Sequence, residues 1–182
     1  MRTPTALVVL VLVWWAAILP AAAAAAASDA RLASPVGLWE PLDGAGRPLG
    51  LIRIFEAGGL YYGRIEPSSP TDDRNARCAL CTGDRHNQPI IGLVLMRHLR
   101  PQNGEYVGGD ILDPDTGRVW GCSLRLTDGG HQLIMRGFLG IPLLGRSQTW
   151  QRVEDGPRQL RSGSGALNAR PQPSSAPSPW SG

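Results

Sequence analysis

Short alternating runs, separated by connections that carry glycine, proline, asparagine or aspartate, constrain this chain more than any other feature of it. They cover residues 36–40, 51–55, 60–66, 90–97, 105–112, 118–127, 132–138 and 146–153. The clearest is 118–127. Trp120, Cys122, Leu124 and Leu126 fall on one side, and Val119, Ser123, Arg125 and Thr127 on the other. That is the pattern of a strand with one face on a core. The connections carry turn chemistry: Asp43-Gly44-Ala45-Gly46, Gly58-Gly59, Asn103-Gly104, Asp113-Pro114-Asp115-Thr116-Gly117 and Asp128-Gly129-Gly130. Helical periodicity is almost absent. The expectation is an all-β domain. Eight strands with short connections suit an antiparallel up-and-down barrel, because closure removes exposed edges. A small β-sandwich is the alternative, since a period of two does not separate them.

The two ends read differently from the middle. Arg2 precedes an apolar run over residues 7–19, Pro20 ends it, and alanines fill 21–27. This is the composition of a cleaved signal peptide. Residues 1–27 are therefore expected to be removed, with cleavage after Ala27 or, next, after Ala30. The alternative is an uncleaved anchor in the inner membrane, because the apolar stretch is long enough to span a bilayer. Residues 28–155 form the domain. Residues 156–182 are rich in Pro, Ser, Gly, Ala and Arg and are expected to be a disordered tail.

Charge argues against a nucleic-acid partner. All 18 basic residues of the formal count are arginine, and the whole chain carries +3. Residues 28–155, however, hold 14 arginines against 15 acids, a balance of −1. The excess lies in the leader and the tail, whereas a nucleic-acid binder concentrates it on the fold or in a dense run. The only expected membrane contact is through the signal segment.

The one long irregular segment, residues 67–89, holds Asp72-Asp73 and Cys78-Ala79-Leu80-Cys81. Cysteines of an exported protein are read first as disulfides. Cys122 lies on the inward side of its strand. A bond from Cys81, or from Cys78, to Cys122 would pin the loop to the barrel, and this is the favoured pairing. The alternative joins Cys78 to Cys81 and leaves Cys122 a buried thiol. A redox role lacks the βαβ setting, and zinc held by three thiolates and His86 lacks a second Cys-x-x-Cys.

No other motif announces catalysis. Asp113-Pro114-Asp115 reads as a turn, and His86, His98 and His131 are scattered. There is no Gly-x-Ser-x-Gly and no phosphate-cradling loop. No catalytic residue, metal or cofactor is expected. The terminal hairpin says more. Gln132, Ile134, Arg136 and Phe138 share one face, and Arg146, Gln148, Trp150 and Arg152 share one. Pointing inward, such a face would hold an anionic head group through charge-assisted bonds. Pointing outward, it is an ordinary solvated surface.

Gly37-Leu38-Trp39 begins the first strand and Arg152 stands near the end of the last. In a closed barrel these strands are neighbours, so the arginine can stack on the indole and close one end. This resembles the Gly-x-Trp and terminal arginine of lipocalin-like barrels. More broadly, the chain resembles the bacterial domain of unknown function DUF2147. The features shared are Gly37-Leu38-Trp39, Leu60-Tyr61-Tyr62-Gly63-Arg64-Ile65 and Cys78-x-x-Cys81. Further on they are Gly109-Asp110-Ile111-Leu112-Asp113-Pro114 with Gly117, Arg136-Gly137-Phe138-Leu139-Gly140, and Gly145-Arg146-Ser147-Gln148-Thr149-Trp150. The resemblance implies an exported bacterial protein with a lipocalin-like barrel and carries over no catalytic residue.

The functional expectation is a non-enzymatic periplasmic or secreted barrel that binds a small apolar or amphipathic ligand. Trp120 and Trp150 would form its wall, and Arg136, Arg146 and Gln148 its polar anchors. Gly37, Trp39 and Arg152 would be structural. The alternatives are an envelope interaction protein with a filled barrel, and a thiol or metal enzyme centred on Cys78, Cys81 and Cys122.

Overall fold

The computed structural model describes residues 32–154, apart from 142 and 144. The expected signal peptide and tail lie outside the described residues. Eight antiparallel strands form one closed barrel in chain order: β1 Gly37–Pro41, β2 Leu51–Ala57, β3 Leu60–Glu66, β4 Val94–Gln102, β5 Glu105–Leu112, β6 Val119–Thr127, β7 Gln132–Phe138 and β8 Gly145–Val153. β1 pairs with β8 as well as with β2, so both edges of the sheet are satisfied. The barrel reading holds and the sandwich falls away.

Alternation sets the interior. Trp39, Ile54, Met96, Leu99, Cys122, Leu124, Leu133, Met135 and Trp150 are at most 1% exposed and form one core cluster. Two places need a residue without a side chain. A Cβ on Gly63 would meet the Met96 side chain at 2.8 Å, and one on Gly109 would meet the Arg97 carbonyl oxygen at 2.5 Å.

One strand differs from expectation. The apolar run at 90–97 suggested a strand, but β4 begins at Val94 and continues through Pro101 to Gln102. Ile90 and Leu93 belong instead to the end of the long loop, where they pack on the core. β4 then bulges. Met96 and Leu99 both turn inward, and His98 takes a left-handed φ of 63° between them. Such a bulge breaks the period of two, which is why alternation lost the strand here.

The long loop, residues 67–93, orders itself. The Ile90 amide donates to the Ala76 carbonyl, Cys78 to Gln88, and Asn87 to Cys78. A 3₁₀ turn, Gly83–Arg85, is followed by His86, whose Nδ1 lies 2.8 Å from the Cys81 carbonyl oxygen. The disulfide joins Cys78 to Cys81, and Cys122 is a buried free thiol. The favoured staple to Cys122 is therefore wrong. The physical reason is that backbone pairing across the loop already holds it, so it needs no bond to β6. Contact with the barrel comes from the ion pairs Arg85–Asp110 at 3.3 Å and Arg97–Asp84 at 2.9 Å and from packing: a Cβ on Gly117, in the β5–β6 turn, would collide with the Leu80 carbonyl oxygen.

Candidate ligand-binding site

The two ends of the barrel are built differently. At one end Arg152 closes the structure. Its guanidinium carbon stands 4.3 Å from the centre of the Trp39 ring, and Trp39 and Arg152 are register partners. Its nitrogens donate to three backbone carbonyls: Gly130 at 2.7 Å, Val36 at 3.0 Å and Ser34 at 2.6 Å. Trp39 Nε1 donates to the Pro35 carbonyl at 2.7 Å. Gly37 is required here. Its φ is 147°, and a Cβ would sit 2.7 Å from Arg152 Nη1. Gly37, Trp39 and Arg152 thus meet at this end of the barrel.

The opposite end opens into a cavity of about 550 Å³. Its floor is apolar: Ile52, Leu95, Ile111, Met135 and Trp150. Its rim comes from the β1–β2 connection, the long loop and the β5–β6 turn. The rim is acidic. Among the described lining residues there are five carboxylates, Glu66, Asp72, Asp73, Asp113 and Asp115, and no arginine.

Each acid has its own setting. Glu66 pairs with Arg64 at 2.8 Å and Arg53 at 3.5 Å. Asp72 accepts from the amides of Ser69 and Ser68, and these bonds hold its carboxyl below the usual range. Asp113 is 2% exposed and braces its own turn, accepting from the Asp115 amide and the Thr116 hydroxyl. Desolvation, and then the neighbouring Asp113 carboxylate, push Asp115 up. The turn reading of Asp113-Pro114-Asp115 describes its backbone. It missed that the same turn forms part of a cavity wall.

The expected binding residues are divided by this geometry. Gln148 and Trp150 line the cavity, and Trp150 Nε1 donates to Gln148 Oε1 at 2.9 Å. Trp120 is half-buried, pairs with Ile111 and packs on the core, but is not among the lining residues. Arg136 is on the outside of the barrel. Leu133, Met135 and Gly137 are the buried positions of β7, so Gln132, Ile134, Arg136 and Phe138 face away from the core. Arg136 donates to the Ser147 hydroxyl and the Leu143 carbonyl. Arg146 is exposed at the start of β8 and does not line the cavity. The anionic pocket built on these arginines is not formed.

The three cysteines do not converge on a reactive centre. Cys78 and Cys81 are bonded to each other, and Cys122 is 0% exposed. Desolvation, with a smaller contribution from Asp110, raises the Cys122 thiol far above its ordinary value. It stays protonated and is a poor nucleophile.

A closed eight-stranded antiparallel barrel, sealed by an arginine–tryptophan contact at one end and open to a cavity at the other, is a barrel of the lipocalin-like class. The chain belongs to the bacterial family DUF2147, "uncharacterized protein conserved in bacteria", whose model matches residues 37–152. Among solved structures it is similar to one described as protein HP1028 from the human pathogen Helicobacter pylori, a member of the lipocalin family. The two share 17% identity over 67% of this chain and 84% of that one, with a TM-score of 0.59. At that identity the likeness concerns the fold alone. No curated protein matches the chain.

Proposed function

We propose that this protein is an exported, non-enzymatic barrel that takes up a small amphipathic molecule at its open end. The observation that carries this reading is the cavity of about 550 Å³, which is floored by core side chains and reaches Met135 and Trp150. That size and lining suit a small ligand with an apolar portion. The rim decides the other end of the molecule. Glu66 is paired with Arg64 and Arg53 and Asp113 braces its own turn, so Asp72, Asp73 and Asp115 set the sign of a rim with no arginine among its lining residues, and a head group that is cationic or donates hydrogen bonds is favoured over an anion. Export is supported by the leader composition and by the Cys78–Cys81 bond, which suits an oxidising compartment.

The neutral aromatic amine N-phenyl-1-naphthylamine should bind with a rise in fluorescence. An alkylammonium should displace it better than the alkylcarboxylate of equal length. Ala76, on the cavity wall, is half-buried and lies in the long loop outside any strand. Ala76→Trp should fill the mouth and weaken the probe by about tenfold or more, ~1.4 kcal/mol, at an unchanged thermal midpoint. Equal affinity of this variant and the parent, or no binding by the parent, would sink the reading.

Export has its own check. N-terminal sequencing of protein from the periplasm or medium should begin at Ser28 or within a few residues of it. An intact Met1 in a membrane fraction would mean that the leader is an anchor.

A further inference from the structure

We propose that the apolar tip between β7 and β8 docks the open end of the barrel on an anionic lipid surface. The sequence suggested membrane contact through the leader only; this is a second contact, made by the folded domain. Leu139, Ile141 and Leu143 are 51%, 55% and 82% exposed on consecutive alternate positions of this connection. The patch continues sideways. Gly121 is the register partner of Phe138, so two residues further along both strands Val119, 43% exposed, comes alongside the tip. Leu80, 62% exposed, sits against Gly117 two residues before Val119. Apolar side chains gathered at one end in this way mark an interaction surface.

The charges beside the patch identify the partner. Arg136 is held at the foot of the tip by its bonds to the Leu143 carbonyl at 3.3 Å and the Ser147 hydroxyl at 3.2 Å. Arg146 is exposed where β8 begins, and Arg118 is exposed next to Val119. Residues 129–151 contain two arginines, Arg136 and Arg146, and no aspartate or glutamate. Of the acids at this end, Glu66, Asp72, Asp73, Asp113 and Asp115 line the cavity and Asp43 and Asp84 are paired with Arg47 and Arg97, whereas Arg118, Arg136 and Arg146 are not among the lining residues.

Exposed apolar side chains with cations set just behind them match the layering of a bilayer surface, hydrocarbon beneath phosphate. Docking by this tip would hold the cavity mouth beside the lipid from which an amphipathic ligand would leave.

The test uses protein recovered from an exporting bacterial host. It compares co-flotation with vesicles of phosphatidylglycerol and phosphatidylcholine against phosphatidylcholine alone. The mixed vesicles should retain on the order of tenfold more protein. Leu143→Asp and Ile141→Asp should each remove most of that difference while keeping the parent's thermal midpoint and probe binding. Amide exchange over residues 138–145 should slow when mixed vesicles are added, a local readout that a retained leader would not produce. Unchanged exchange, or variants that float as the parent does, would overturn the proposal. So would sedimentation showing a dimer, without lipid, that Leu143→Asp dissociates: the tip would then be an interface between copies.

Discussion

Arg152→Ala is expected to lower the stability of the barrel by about 3–5 kcal/mol. The guanidinium donates to the carbonyls of Gly130, Val36 and Ser34 and covers the Trp39 ring at 4.3 Å. Removing it leaves three acceptors, two of them partly buried, without their donor and uncovers the indole. The usual range for a charged hydrogen bond is about 1.5–3 kcal/mol and for a cation–π contact about 0.5–2 kcal/mol. The sum is discounted because water reaches part of the site. Lysine should not rescue the loss, since one ammonium cannot span three carbonyls set by a planar fork. Gly37→Ala should fail in the same way from the other side, through its φ of 147° and a Cβ 2.7 Å from Nη1. Urea denaturation of the three variants measures this. A loss below about 1 kcal/mol for Arg152→Ala would show that the strand pairing of β1 with β8 suffices to close the barrel.

The second large effect is expected at Trp150, which is 1% exposed, pairs with Leu133 across β7 and forms part of the cavity floor. Trp150→Ala should cost about 3–5 kcal/mol, the range for deleting a large buried aromatic side chain. It should also deepen the cavity by joining it to the space the indole filled. The amphipathic probe should therefore raise the thermal midpoint of this variant by more than it raises the parent's. Trp150→Phe should lose less stability and bind the probe much as the parent does. An alanine variant with near-parental stability would mean that the indole is not part of the packed core. One that is destabilised but gains nothing from the probe would separate the floor from the binding site.

The barrel was legible because strands such as β1 and β7 keep a clear alternation and its turns use residues suited to positive φ. β4 was not, because its bulge at His98 breaks the period and, of the apolar residues before it, Ile90 and Ile91 line the cavity while Leu93 packs in the core. The closing contact was legible at Gly37, Trp39 and Arg152, since it needs only that the first and last strands meet. The site was harder. On β7 the choice lay between a face with Leu133 and Met135 and one with Gln132 and Arg136. The more apolar face points inward, and the weight given to the arginine reversed it. The cavity rim could not be read at all from alternation. Asp72, Asp73, Ala76 and Ile90 reach it through a loop whose path depends on hydrogen bonds such as Ile90 to Ala76. The cysteine pairing failed for a related reason. A long loop seemed to need an anchor, but its own backbone bonds supplied the order.

The closure has a consequence for how the chain is made. Arg152 binds Ser34 and Val36 across sequence separations of 118 and 116 residues. Until β8 is present, β1 has only β2 to pair with, and Trp39 has no cover. Contacts this distant are slow to form and reward the chain late. A ribosome releasing this protein from its N-terminus must therefore deliver nearly the whole domain before the ring can shut. If the chain is exported as proposed, it would stay threadable for as long as its last strand is missing.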